Sequence, residues 1–306
     1  MNILFVLYGD FATNSANPLV LYARELKKLG HDCAIAVPSN LETVAMHNAQ
    51  SFTPCLYEDV LADPGSVFNN GRRADVIHAC TPRRGVSQFV IQYMVKWPTP
   101  LAVFLEDNEA WISQHHLGLN TQELNASTSD ELTKTIPLAL AHPFEYRYFV
   151  GLADIAFVIQ EKLQVDVPAW VPRTTLMLGV DLEFFKPEPD VQESRSTFGL
   201  DPDIKVIAYH GGGNQFTLPS IKILCEAIVL INRAGVKCAL LRTGPGPLGF
   251  LDELGADAKC YIHDLGVVDK QRLPGILALA DLYVQPGKID PFEDLRLPGK
   301  VPEFLA

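Results

Sequence analysis

With 306 residues the chain has room for two ordinary domains of roughly 150 residues each, and 48% hydrophobic against 20% charged residues describes a soluble globular protein with a sizeable core. A formal net charge of -11 argues against a general nucleic-acid binder, which needs a basic stripe to displace counterions, and leaves room for local basic pockets that hold phosphates. Six scattered cysteines without a CxxC pair argue against a zinc site or disulfide framework and suit a reducing cytoplasm, and no apolar run nears the roughly 18 residues that span a bilayer.

The chain opens on Asn2–Leu7 (NILFVL), a continuous apolar run expected of a parallel strand buried on both faces. A polar loop over 8–17 leads to a helix over 18–29, whose Leu19, Tyr22, Leu26 and Leu29 share one stripe and which Gly30 ends. A second strand over 31–37 completes a βαβ unit. Strands follow over 74–79 (ADVIHA) and Leu101–Leu105 (LAVFL), with a helix over 85–95 between them. After a polar interval over 120–135, the pattern predicts a long helix over 137–152, a strand over 154–160, a short helix near Glu161 and a last strand over 174–178. Strands alternating with helices imply a doubly wound parallel sheet.

Residues 181–203 break the alternation with Pro187, Pro189, Pro202 and a run of charges, which places a domain boundary between residues 185 and 186. A second series then runs as strand 205–209, helix 218–233, strand 238–242, a Gly/Pro loop 243–249, a helix ending near Leu254, a short strand at 261–262, helix 269–280 and strand 282–285. A complete Rossmann-like domain carries two more strands and closing helices, so the second domain (186–306) is expected to be incomplete and the chain a truncated two-domain protein.

Several stretches carry candidate chemistry. In open α/β sheets ligands gather beyond the carboxyl ends of the strands, so the loop after strand 282–285, with Asp290, Glu293, Asp294, Arg296, Lys300 and Glu303, is a candidate for a charged ligand. His210–Asn214 (HGGGN) follows a strand, and its glycines Gly211 and Gly212 would let backbone N–H groups approach an anion; a plain strand-to-helix turn is the other reading. The loop 243–249 contains GxG without the full GxGxxG and its downstream acid, which makes dinucleotide binding a weak reading. His78 lies within an apolar strand and reads as a core residue, and the adjacent His115 and His116 point apart on a helix, which argues against a metal there.

Six segments in order resemble one family: MNILFVLYGD with KKLGHD, ADVIHACTPR, LGVDLEFFKP, LRTGPGP, LGVV with LPGILALADLYVQP, and LPGKVPEFLA. Their order and spacing are similar to the family 4 (group 1) glycosyltransferases of GT-B fold, with two Rossmann-like domains facing a cleft. The resemblance implies that residues 1–185 bind an acceptor (a sugar, a lipid-linked or a small molecule) and that the second domain binds a nucleotide-sugar donor. It further implies transfer with retention, without a bound metal or cofactor. On this resemblance Arg296 and Lys300 serve the donor's phosphates and Glu303 its ribose. Gly211, Gly212 and Asn214 complete the donor site, in a stretch (NQFTLPSIK) that lacks the family's close Arg/Lys arrangement. The acid expected eight residues before Glu303 is replaced by Leu295. Gly9 and Asn14 would meet the acceptor, with turn chemistry as the alternative. Asp107 would act on the acceptor hydroxyl, with helix capping as the alternative. A non-catalytic sugar- or nucleotide-binding remnant and a sugar-nucleotide epimerase of the same fold are the competing readings.

Overall fold

A computed structural model describes residues 1–47, 49–187, 193–213, 217–290 and 292–306. The chain divides into two compact units: Met1–Gly179 with Asp290–Leu297, and Val180–Ile289 with Pro298–Ala306.

The first unit is built on seven parallel strands: β1 (Asn2–Leu7), β2 (Asp32–Val37), β3 (Thr53–Leu56), β4 (Val76–Cys80), β5 (Leu101–Leu105), β6 (Ile155–Val158) and β7 (Arg173–Thr175). They lie in the order β3-β2-β1-β4-β5-β6-β7, so the direction of winding reverses between β1 and β4. Its helices are α1 (Ala16–Lys28), α2 (Tyr57–Ala62), α3 (Arg84–Lys96), α4 (Glu109–Leu117), α5 (Thr121–Ala126), α6 (Ser129–Thr135) and α7 (Tyr146–Val150). Every residue of β1 and β5 is buried, which is why these strands read as unbroken apolar runs rather than alternating ones.

The second unit has four parallel strands, β8 (Lys205–His210), β9 (Cys238–Thr243), β10 (Ile262–Asp264) and β11 (Leu282–Tyr283), in the order β10-β9-β8-β11. Helices α8 (Leu218–Arg233), α9 (Ala258–Tyr261), α10 (Leu273–Leu277) and α11 (Lys300–Leu305) accompany them. The molecule is thus an α/β protein of two Rossmann-like units with parallel sheets.

A recurring Ala-Asp pair sets strand register. Asp75, just ahead of β4, accepts from the Asn2 N–H of β1 (2.8 Å). Asp154 ahead of β6 does the same for Leu101 of β5, and Asp281 ahead of β11 for Val206 of β8, each at 2.8 Å. Each carboxylate satisfies an N–H at the start of the neighbouring strand that would otherwise lack a ladder partner. Asp281 also pairs with Arg195 (2.8 Å), and its carboxyl is held below the ordinary range, first by the Val206 N–H and then by Arg195.

The structure departs from the sequence expectations in four places. The helix expected over 137–152 contracts to α7, because Pro143 cannot continue a helical hydrogen-bond ladder. The polar interval 120–135 holds two short helices, each opened by a reciprocal capping box: Asn120 with Glu123, and Thr128 with Glu131. A strand unforeseen in the sequence, β3, sits at the sheet edge, where Pro54 is tolerated. Finally, the units part at Gly179 and Val180 rather than after residue 185. Phe184 and Phe185 belong to a second-unit cluster with Ala208, Leu273 and Leu277, while Leu295 and Leu297 pack on the first unit's core.

His78 in β4 is buried among the rings of Phe5, Phe104 and Phe157, and neither ring nitrogen has a side-chain or backbone hydrogen-bond partner among the described residues. Burial lowers its pKa from 6.5 to about 4. The unfolded chain therefore takes up a proton below 6.5 while the folded chain resists until about 4. The stability this residue supports is complete above the unfolded value and is lost as pH falls across that window, to a limit of about 3 kcal/mol. Unfolding free energies followed by tryptophan emission should fall between pH 7 and pH 4.5, and His78→Leu should flatten that slope. An identical slope in the variant would refute the assignment.

Candidate functional site

In the first unit the carboxyl ends of β1, β4 and β5 meet where the winding reverses, the position at which open α/β sheets hold ligands. Tyr8 and Ser15 follow β1, Thr81 and Arg83 follow β4, and Glu106 to Glu109 follow β5. Ser15 Oγ donates to Glu106 Oε2 (2.5 Å) and Cys80 Sγ to Glu106 Oε1 (3.2 Å). Burial raises the Glu106 carboxyl, and these two hydrogen bonds oppose the rise. Arg83 Nε binds Glu109 Oε2 at 3.0 Å, with the guanidinium 3.8 Å from the centroid of the Tyr8 ring. Thr81 is fully buried and its hydroxyl has no partner among the described residues.

Asp107 stands half-buried beside this group. Its carboxyl is raised to about 7, chiefly by burial and then by Glu109 and Glu106, against the pull of Arg296 and Arg83. A carboxyl titrating there can take up or release a proton near neutrality. Asn108, not Asp107, caps α4, its side chain accepting from the Trp111 N–H at 3.0 Å. Gly9 sits against Thr13, whose Cγ2 lies 2.7 Å from where a Cβ would stand. Asn14 is exposed, whereas its neighbour Ser15 turns inward to Glu106.

Segment Asp290–Leu297 lies on this unit as well. Phe292 stacks on Trp111 (4.6 Å, 15°), and Trp111 on His115 (4.9 Å, 10°). Arg296 lies over Phe292 (5.4 Å) and reaches Glu293 Oε1 at 3.5 Å. Arg296 thus belongs to the first unit and Lys300 to the second.

In the second unit, loops 210–213 and 243–246 run side by side beyond β8 and β9. Gly211 N–H donates to Thr243 O and Gly213 N–H to Pro245 O, both at 2.8 Å, continuing the ladder of the two strands. The glycines are needed for this close approach. A Cβ on Gly244 (φ 127°) would stand 2.5 Å from Gly211 O, and one on Gly246 (φ 87°) 2.3 Å from Gly213 O. The Gly211 N–H is thus engaged within the unit and does not face a ligand. Gly212 lies against Pro245, and Asn214 is outside the described residues.

Beneath the two loops Arg242 is completely buried. It donates to Asp264 (2.8 Å) and to the carbonyls of Gly211, Pro245 and Gly246 (3.0, 2.6 and 2.9 Å). It was absent from the sequence-derived site, although an arginine inside the apolar run CALLRT is itself a signal, since a buried charge needs a buried partner. Above the loops, Lys300 Nζ lies 5.0 Å from the Tyr209 ring centroid and 2.2 Å from the position of a Cβ on Gly211. Glu303, one turn along α11, has a buried Oε2 without a hydrogen-bond partner among the described residues, and burial lifts its carboxyl to about 7 against Lys300 and Lys270. His210 shares a hydrogen bond with Thr243 (2.7 Å). Its pKa is lowered to about 4 by burial, then by Lys300 and Arg242.

Among the described residues no helix is long and apolar enough to cross a membrane, and no group of three or more His, Cys, Asp or Glu is disposed to hold a metal ion. No protein-family model matches the chain, and no curated protein does. Solved structures do match, and they give the fold its class: GT-B. Sucrose-phosphate synthase from Thermosynechococcus elongatus has a TM-score of 0.63 at 13% identity, over 94% of this chain and 77% of that one. HepE from Anabaena, solved in complex with UDP-glucose, has a TM-score of 0.58 at 13% identity, over 92% of this chain and 73% of that one. A glycosyltransferase from Rickettsia africae ESF-5 has a TM-score of 0.57 at 12% identity, over 95% and 74%.

Proposed function

We propose that this chain is a retaining glycosyltransferase of the hexosyltransferase type, moving a sugar from a nucleotide-sugar donor on the second unit to an acceptor on the first, in the cytoplasm. The observation that carries the reading is the pairing of Lys300 and Glu303 on α11 at the carboxyl end of β8. It sets an ammonium beside Gly211 and, one turn on, a carboxyl with a buried oxygen that has no partner among the described residues. The ammonium suits a diphosphate and the carboxyl a ribose hydroxyl. In the reaction the bond from the anomeric carbon to the diphosphate breaks, a bond from the acceptor oxygen forms, and the nucleoside diphosphate leaves. Lys300, rather than a metal or cofactor, balances the charge that builds on the leaving group. The hydroxyl proton passes to Asp107, whose carboxyl titrates near 7. Six free cysteines agree with a reducing compartment.

Lys300→Ala is expected to weaken binding of UDP and UDP-glucose by roughly tenfold to a hundredfold, the worth of a hydrogen bond to a charged group. Titration calorimetry reads this directly. If the wild-type chain binds none of a panel of UDP-, GDP- and ADP-sugars, the reading fails. One observation favours a second reading, a nucleotide- or sugar-binding protein without turnover. With the Gly211 and Gly213 N–H groups engaged between loops and Arg296 on the first unit, the second unit offers less charge stabilisation to a leaving diphosphate. Binding without hydrolysis or transfer would establish it.

A further inference from the structure

We propose that the acceptor taken by the first unit is an uncharged, hydroxyl-rich compound, a neutral sugar or polyol, and that phosphorylated acceptors are rejected. This rests on the transfer reading above. Recognising a phosphate takes a cation whose charge is not already matched. Among the described residues at the reversal point of the first sheet, Arg83 and Arg296 are each matched by a carboxylate. Arg83 is held by Glu109 at 3.0 Å, under the Tyr8 ring, and also donates to Ala139 O (3.3 Å). Arg84 turns to the carbonyl of Ile136. Arg296 has Glu293 as its partner.

Beside those pairs stand the carboxyls of Glu106 and Asp107, the Ser15 hydroxyl that donates to Glu106, and the hydroxyl of Thr81. Thr81 is fully buried at the end of β4 with no partner for its Oγ1 among the described residues. Carboxyls and hydroxyls are the donors and acceptors that sugar hydroxyls pair with. A phosphate dianion in the same place would face two carboxyls whose neighbouring guanidiniums, Arg83 and Arg296, already have carboxylate partners of their own, and like charges in a partly desolvated site repel strongly.

The test uses the full chain with UDP-glucose as donor probe and matched acceptor pairs: fructose and fructose 6-phosphate, glucose and glucose 6-phosphate, mannitol and mannitol 1-phosphate. The unphosphorylated member of the preferred pair is expected to show a kcat/KM at least tenfold higher. The same pairs are read by saturation-transfer NMR, so the outcome does not depend on turnover. Tighter binding of the phosphorylated member, or binding of neither, overturns the proposal. Asp107→Asn is expected to narrow the binding ratio at least threefold, and an unchanged ratio would remove the role given to its charge. A chain that binds no nucleotide sugar refutes the transfer reading instead, and the acceptor pairs still decide this inference.

Discussion

Glu109→Ala is expected to destabilise the first unit by about 3–5 kcal/mol, the cost of leaving one member of a buried ion pair without its partner. The side chain of Glu109 is 1% exposed and that of Arg83 10%. Removing the carboxylate strands a guanidinium under the Tyr8 ring, with the Ala139 carbonyl as its remaining acceptor among the described residues. The three tryptophans, Trp97, Trp111 and Trp170, all lie in the first unit, so their emission during urea unfolding reports that unit. The midpoint should fall sharply. The double variant Arg83→Met with Glu109→Leu should recover most of the loss, because replacing both charges removes the desolvation cost along with the attraction. A single variant with an unchanged midpoint would mean that water reaches the pair.

Much of the architecture was legible in the sequence because the strands of a doubly wound sheet are buried on both faces and so read as plain apolar runs. NILFVL and LAVFL are of this kind. The sequence also carries local chemistry that composition alone hides. N-T-Q-E and T-S-D-E are capping boxes within a stretch that looks like loop by composition, and Pro143 was enough to break the helix drawn through it.

The site was less legible because its pairings are long-range. Ser15 meets Glu106 across 91 residues, and Arg83 meets Glu109 across 26. Arg296 and Lys300 are four residues apart and looked like one clamp. Their membership is decided by Trp111 and the first core on one side, and by Tyr209 and Gly211 on the other. The glycines of HGGG suggested an anion cradle, since anion loops and close backbone packing demand the same residue. Only the positions of the neighbouring carbonyls tell the two apart.

Arg242→Ala is expected to have the comparable effect in the second unit, about 3–5 kcal/mol. The guanidinium joins β9, the glycine loop after β8, the loop 243–246 and Asp264 of β10. Its loss leaves three carbonyls and a carboxylate without their donor, and a cavity beneath the loops. Because tryptophan emission is blind to this unit, amide hydrogen exchange is the proper readout. The Gly211, Gly213 and Gly244 N–H groups, bonded to Thr243 O, Pro245 O and Gly266 O, should exchange at least a hundredfold faster in the variant. UDP-glucose binding should weaken with them, because Lys300 is seated against Gly211 and shifts when that loop does. Arg242→Lys keeps the charge but loses the planar fork, so it should protect the Asp264 contact and leave some carbonyls unsatisfied, giving an intermediate exchange rate. If Arg242→Ala left exchange at these glycines untouched, the loops would be held by their own ladder. Lys300 would then owe its position to Tyr209 and α11 rather than to the buried arginine below.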